Sequence, residues 1–110
     1  MTTALLSHPD CHDHVTPDGH PEQVARLHHV LSALEDKDLL RTEAPMAEDA
    51  AILRCHPQAH IDALRAALPQ AGFAPLDADT FLSPGSLDAA YRAAGAAVRA
   101  VDMVMAGEAQ

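Results

Sequence analysis

The last segment of the chain limits the fold most. Between Pro84 or Ser86 and Ala106 the sequence predicts one long helix, with Gly107 placed to end it in the left-handed conformation that glycine tolerates. Leu87, Tyr91, Ala94, Val98, Val101 and Met105 recur in steps of four and three, which predicts one apolar stripe. Asp88 and Arg92 read as an i,i+4 ion pair on another side. Ala90, Ala93, Gly95 and Ala97 add small side chains, so the helix can lie close against a twisted sheet or a second helix. In an α/β chain such a helix is a crossover that delivers the chain to another parallel strand. Three residues follow Gly107. The sheet therefore reads as unfinished, and the chain as part of something larger.

Upstream, "TALL" at 3–6 predicts a short strand entering a His-rich loop. Pro9, Pro17, Gly19 and Pro21 exclude regular structure from most of that loop. A helix is predicted from Pro21, a residue favoured at the first helical position. Val24, Leu27, Leu31 and Leu34, with Val30 beside them, form its core stripe; Glu22, Gln23, Arg26 and His29 lie mostly off it. "LLRTEAP", 39–45, predicts a strand closed by Pro45, and 47–55 a short helix. Another helix begins at Pro57, carries Ile61, Leu64 and Leu68 on one side, and ends at Pro69 and Gly72. Residues 73–86 read as a loop or a short strand running into a loop. The pattern is helix-rich, with helices spaced to cover a parallel sheet.

The apolar fraction is 48%, but it is mostly small: there is no Trp, and Phe73, Phe81 and Tyr91 are the only aromatics. Such a core buries little area per residue, which again suggests part of a larger body. The net charge of −9, with seven scattered basic residues, argues against nucleic acid or an anionic membrane as partner. No basic n-region with a long apolar run opens the chain, and no apolar run could span a bilayer, so the expected compartment is the cytoplasm. Cys11 and Cys55 make no disulfide framework.

"HPDCHDHVTPDGHPE", 8–22, has the composition of a zinc cluster. Structural zinc usually takes two ligands from each of two segments. Here His8, Cys11, His12 and His14 crowd one loop, and Cys55, His56 and His60 would have to complete the set. The loop is read instead as metal-free, its histidines bonded to backbone or exposed. Cys11 beside His12 is not a catalytic pair, because sequence neighbours rarely hold the mutual geometry and no orienting group is evident. His56 reads as a helix cap and His60 as a surface or boundary residue. Asp77 and Asp79 are either paired carboxylates on an extended segment or an aspartate-rich turn.

Together "HPDCHDHVTPDGHPEQVARLHHVLSAL", "EAPMAEDAAILRCHPQAHIDAL" and "LDADTFLSPGSLDAAYRAAGAAVRAVDMVMAGEA" resemble the N-terminal third of the histone deacetylase superfamily. That group includes bacterial class II-like deacetylases, acetylpolyamine amidohydrolases and acetoin utilization proteins. The resemblance runs from about residue 4 to residue 110. It implies an arginase/deacetylase-type three-layer α/β fold around a parallel sheet, of which 1–110 is a single incomplete portion. It implies a zinc-dependent deacetylase acting on acetyl-lysine or acetylpolyamine-type amides. In that family two aspartates and a histidine hold Zn2+, which polarises the amide carbonyl and a water; a tandem His pair acts as base and acid, and a tyrosine usually helps stabilise the oxyanion.

The family's Gly-His-His motif is expected beyond Gln110, so His28–His29 are not given that role, and no metal ligand is assigned to this chain. What carries over is the substrate channel. His20 and Pro21 belong to a loop flanking its mouth. Arg26 matches an arginine lining the cavity behind the metal, the plain alternative being a surface arginine. Asp79 matches a rim aspartate that accepts hydrogen bonds from substrate backbone amides. Gln23 and Val24 depart from the usual "HPER" run and put local loop shape in question. The chain alone is expected to be inactive. A different expectation is a non-catalytic helical binding or assembly module, its alanine-rich last helix packing on a partner chain or in a homo-oligomer.

Overall fold

The computed structural model describes all residues, Met1–Gln110. Strand β1, Ala4–Ser7, leads through a 3-10 turn, Pro9–Asp13, to helix α1, Val24–Ala33. Strand β2, Leu40–Glu43, follows, then α2, Asp49–Leu53, and α3, Gln58–Ala67. A small hairpin of β3, Ala74–Pro75, and β4, Phe81–Leu82, precedes the long helix α4, Ser86–Met105.

β1 and β2 pair in parallel, in the register Ala4 with Leu40 and Ser7 with Glu43. Parallel pairing demands a crossover, and α1 supplies it. The α1 stripe holds: Val24, Leu27, Leu31 and Leu34 are half-buried, while Val30 and Arg26 are exposed. β3 and β4 pair antiparallel, Ala74 with Leu82 and Pro75 with Phe81. Segment 73–86 is thus a hairpin and a turn.

α4 packs across the 3-10 turn and β1, as a helix covering a sheet should. Its end is a Schellman motif: Glu108 N–H donates to the Met103 carbonyl at 2.8 Å and Gly107 N–H to Val104 at 3.1 Å, with Gly107 at φ 75°. The chain then returns to β1, where Gln110 N–H donates to the Thr2 carbonyl at 2.8 Å. Thr3 and Ser7 turn their carbonyls toward β2. Successive residues of a strand alternate, so Thr2 faces the opposite edge. The crossover therefore brings the chain back to the free side of β1.

Several expectations are corrected. α1 starts at Val24 rather than Pro21, because residues 16–22 close on themselves: the Thr16 hydroxyl donates to the Glu22 carbonyl, and Glu22 N–H donates to His20 Nδ1 at 3.0 Å. The loop after β1 is more regular than its prolines suggest, since Pro9 opens a 3-10 turn at a position whose N–H would have no partner within the turn. Arg92 does not pair with Asp88. It turns inward, 21% exposed, and donates to Asp10 Oδ2 at 2.9 Å and to the Ala44 carbonyl at 3.0 Å. His56 does not cap α3; Pro57 is the cap residue, and the His56 ring stacks on His60 at 5.1 Å.

The buried face of α4 is rotated from the expected stripe. Ser86, Ala89, Gly95 and Met103 are buried, while Val98, Val101, Val104 and Met105 are exposed, Val101 by 61% and Met105 by 82%. Nine residues in all are buried, Ile61 and Met103 being the largest side chains fully enclosed. The radius of gyration is 15.4 Å, against about 13 Å for a compact chain of this length. Two strands cannot cover a helix of 20 residues, so the apolar rows along its outer half face solvent. No helix is long and apolar enough to cross a membrane.

Candidate functional site

The His-rich loop leaves the C-terminal end of β1, the end of a parallel strand where open α/β sheets form binding crevices. Each of its histidines has its own partner. His8 Nδ1 accepts the Asp10 N–H at 3.0 Å and caps the 3-10 turn. His12 Nδ1 and His28 Nε2 lie 3.4 Å apart. His14 Nδ1 meets Ser86 Oγ at 2.7 Å. Nowhere do three His, Cys, Asp or Glu side chains converge to hold a metal ion. The donors of this chain do not fit a zinc centre.

A buried polar knot fixes the loop. Ser83 Oγ donates to the Asp13 carbonyl and accepts the Val15 N–H, both at 2.9 Å. Ser86 Oγ accepts the Ser83 N–H at 2.7 Å. Both serines are buried and every buried polar side-chain atom is satisfied. Gly85 sits between them because a side chain there would press on Asp13. Sequence reading missed this knot. "SPGS" at a helix start is a capping-type signal, but nothing local names Asp13, His14 and Val15 as its partners.

Two of the four site residues taken from the sequence meet. His20 Nε2 donates to the Asp79 carbonyl at 2.6 Å, across 59 positions, and the His20 ring stands edge-on to Phe81 at 5.6 Å. Asp77 and Asp79 are not paired carboxylates. Asp77 Oδ1 accepts the N–H groups of Asp79 at 3.0 Å and Thr80 at 2.8 Å, an Asx turn closing the hairpin. These bonds, the Asp79 N–H first and Thr80 after it, hold the Asp77 carboxyl below the ordinary carboxylate range. Asp79 keeps an exposed carboxylate with no partner in the chain. Pro21 is exposed beside His20.

Arg26 stands apart from that contact. Its guanidinium is 64% exposed and reaches Glu22 Oε1 at 3.2 Å. Its side chain still borders an apolar groove of about 560 Å³, with Leu6, Cys11, Phe81, Ala89 and Ala93 among the lining residues. The groove lies between the His-rich loop, the hairpin and α4.

A second cluster ties helices together. The Tyr91 hydroxyl donates to Asp49 Oδ1 at 2.6 Å, and Arg65 donates to both Asp49 oxygens at 3.1 Å. The Tyr91 hydroxyl and then the Arg65 guanidinium hold the Asp49 carboxyl below its usual range. The same carboxylate, with burial, pushes the Tyr91 phenol up.

A parallel pair covered by helices, with loops gathered at the strand ends, defines a piece of an α/β domain. Residues 20–110 match the histone deacetylase domain, and the chain belongs to that family. It is 41% identical over 91 residues to the histone deacetylase-like amidohydrolase of Pseudomonas aeruginosa, covering 81% of this chain and 23% of that protein. It is 38% identical to the uncharacterized protein slr0245 of Synechocystis, covering 84% of this chain and 32% of the relative. All of it superposes on the solved HDA15 HD domain with a TM-score of 0.82, at 19% identity and over 34% of that structure. The fold is thus the expected one, and the chain spans about a third or less of the length of these relatives.

Proposed function

We propose that the chain forms one wall of the substrate entrance in a zinc-dependent deacetylase that hydrolyses N-acetyl amides of the acetyl-lysine or acetylpolyamine type. Family membership supports the reaction class. The observation that carries the assignment of the wall is the contact between His20 and Asp79, which joins the loop after β1 to the β3–β4 turn. Pro21 flanks that contact, and Arg26 stands at the border of the apolar groove behind it.

In this reading the Asp79 carboxylate, acceptor-only when ionised, takes hydrogen bonds from the backbone amides of the substrate. The groove accepts apolar parts of substrate or of the domain itself, and Arg26 swings from Glu22 to face it. These residues do not converge to hold the ion, so their part is to bind and orient the substrate. The proposed compartment is the cytoplasm.

The test compares residues 1–110 with a protein extended by the rest of the domain. Acetyl-lysine peptide and acetylpolyamine are offered to both, with and without a chelator. The extended protein hydrolyses at least one of them and loses the activity to the chelator, while residues 1–110 give no rate above the blank. Chelator-resistant hydrolysis, or hydrolysis by residues 1–110, refutes the proposal.

A further inference from the structure

We infer that His20 is a positioning residue: as the neutral Nε2–H tautomer it clamps the Asp79 carbonyl and thereby aims the free Asp79 carboxylate outward from the rim. The functional half of this rests on the proposed reading of the rim; the structural half does not.

Both ring nitrogens are committed, and in opposite senses. Nε2 lies 2.6 Å from a carbonyl oxygen, which only accepts, so Nε2 carries the proton. Nδ1 lies 3.0 Å from the Glu22 backbone nitrogen, which only donates, so Nδ1 is bare. The other neutral tautomer would set N–H against N–H and oxygen against a lone pair. The ring is also held edge-on by Phe81, the first residue of β4. One imidazole thus links residue 22, residue 79 and residue 81.

The acidic pair divides the work around this clamp. The Asp77 carboxylate is used up inside the turn by the N–H groups of Asp79 and Thr80. Leu76 N–H donates to the Thr80 carbonyl at 2.8 Å and closes the hairpin. The Asp79 N–H and C=O are therefore both bound, by Asp77 and by His20. Its backbone is fixed at two points, and its carboxylate alone is left for something outside the chain. Asp77 without His20 would make the turn but leave the Asp79 peptide plane free to rotate.

The experiment uses the whole 110-residue chain with nitrogen-15 histidine. The His20 ring should show a protonated Nε2 and a bare Nδ1 at neutral pH. In His20→Ala the exchange protection of the Asp79 and Thr80 amides should fall about ten-fold, the loss of roughly one hydrogen bond, while the Val15 amide keeps its protection. His20→Gln, whose side-chain N–H can still reach the Asp79 carbonyl, should recover most of it. A protonated Nδ1, or unchanged protection in His20→Ala, overturns the inference. Should His20→Ala fail to fold, the tautomer of the wild-type chain decides alone. None of these readings depends on deacetylation, so the proposed activity can fail while the clamp stands, and the reverse.

Discussion

Gly95 of α4 lies directly against Pro45, just beyond the end of β2. A Cβ built on Gly95 would overlap the Pro45 carbonyl oxygen and stand 2.9 Å from the Ala47 nitrogen. The Ala47 N–H meanwhile donates to the Tyr91 carbonyl at 3.0 Å, so the segment after β2 is bonded to the helix backbone itself. Gly95→Ala gains up to about 1 kcal/mol of helix propensity. It must also move backbone against backbone, an overpacking that costs about 1–3 kcal/mol or more. The net effect expected is destabilisation, read as a lower urea midpoint with an unchanged slope.

Ser83→Ala removes the one atom that both accepts from Val15 and donates to Asp13. It leaves the Val15 N–H and the Asp13 carbonyl without that partner at a partly buried position, a loss of about 1 kcal/mol. Hydrogen exchange at Val15 should accelerate more than exchange in α3. Equal acceleration in both would place the knot's contribution in the fold as a whole rather than in the loop.

Acid should loosen the tie between α2, α3 and α4. The Asp49 carboxyl is lowered from an ordinary value of 3.8. A lowered folded pKa contributes stability that is fully present above the unfolded value and is lost as pH falls through the folded one. Urea midpoints measured downward from pH 5 should therefore drop more in wild type than in Asp49→Asn. Tyr91→Phe, which removes the larger cause of the shift, should fall between them.

The uncovered outer rows of α4 should make the isolated chain sticky. Val101 and Val104 are exposed by more than half, so Val101→Glu with Val104→Glu buries no charge and should leave the melting temperature nearly unchanged. Sedimentation velocity should show concentration-dependent association in wild type and a monomer in the double variant. A monomeric wild type would mean that the row is too narrow to drive association.

The elements that read well from sequence are those with a strong period or a hard stop. The α1 stripe, the strand closed by Pro45 and the Gly107 terminus follow from local chemistry, and all three stand in the structure. The inner face of α4 did not follow. Its apolar period marks a helix, but which row is buried depends on partners: Arg92 is drawn in by Asp10, and Gly95 by the backbone at Pro45. The same holds for the rim. His20 and Asp79 were each assigned by resemblance, yet the bond between them crosses 59 positions. The knot at Ser83 and Ser86 was illegible because its partners are a backbone carbonyl and a backbone N–H, groups that every residue carries.

The ties of the His-rich loop to α4 and the turn before it span 68 to 82 positions: Val15 to Ser83, Asp13 to Ser83, His14 to Ser86 and Asp10 to Arg92. Contacts of such separation form late, after the entropy of closing a long loop has been met. During synthesis, the first quarter of the chain leaves the ribosome well before the residues that shape it. Until α4 emerges, the segment that becomes the rim is an open, histidine-laden tether, exposed to proteases and chaperones and to any metal ion in the cell.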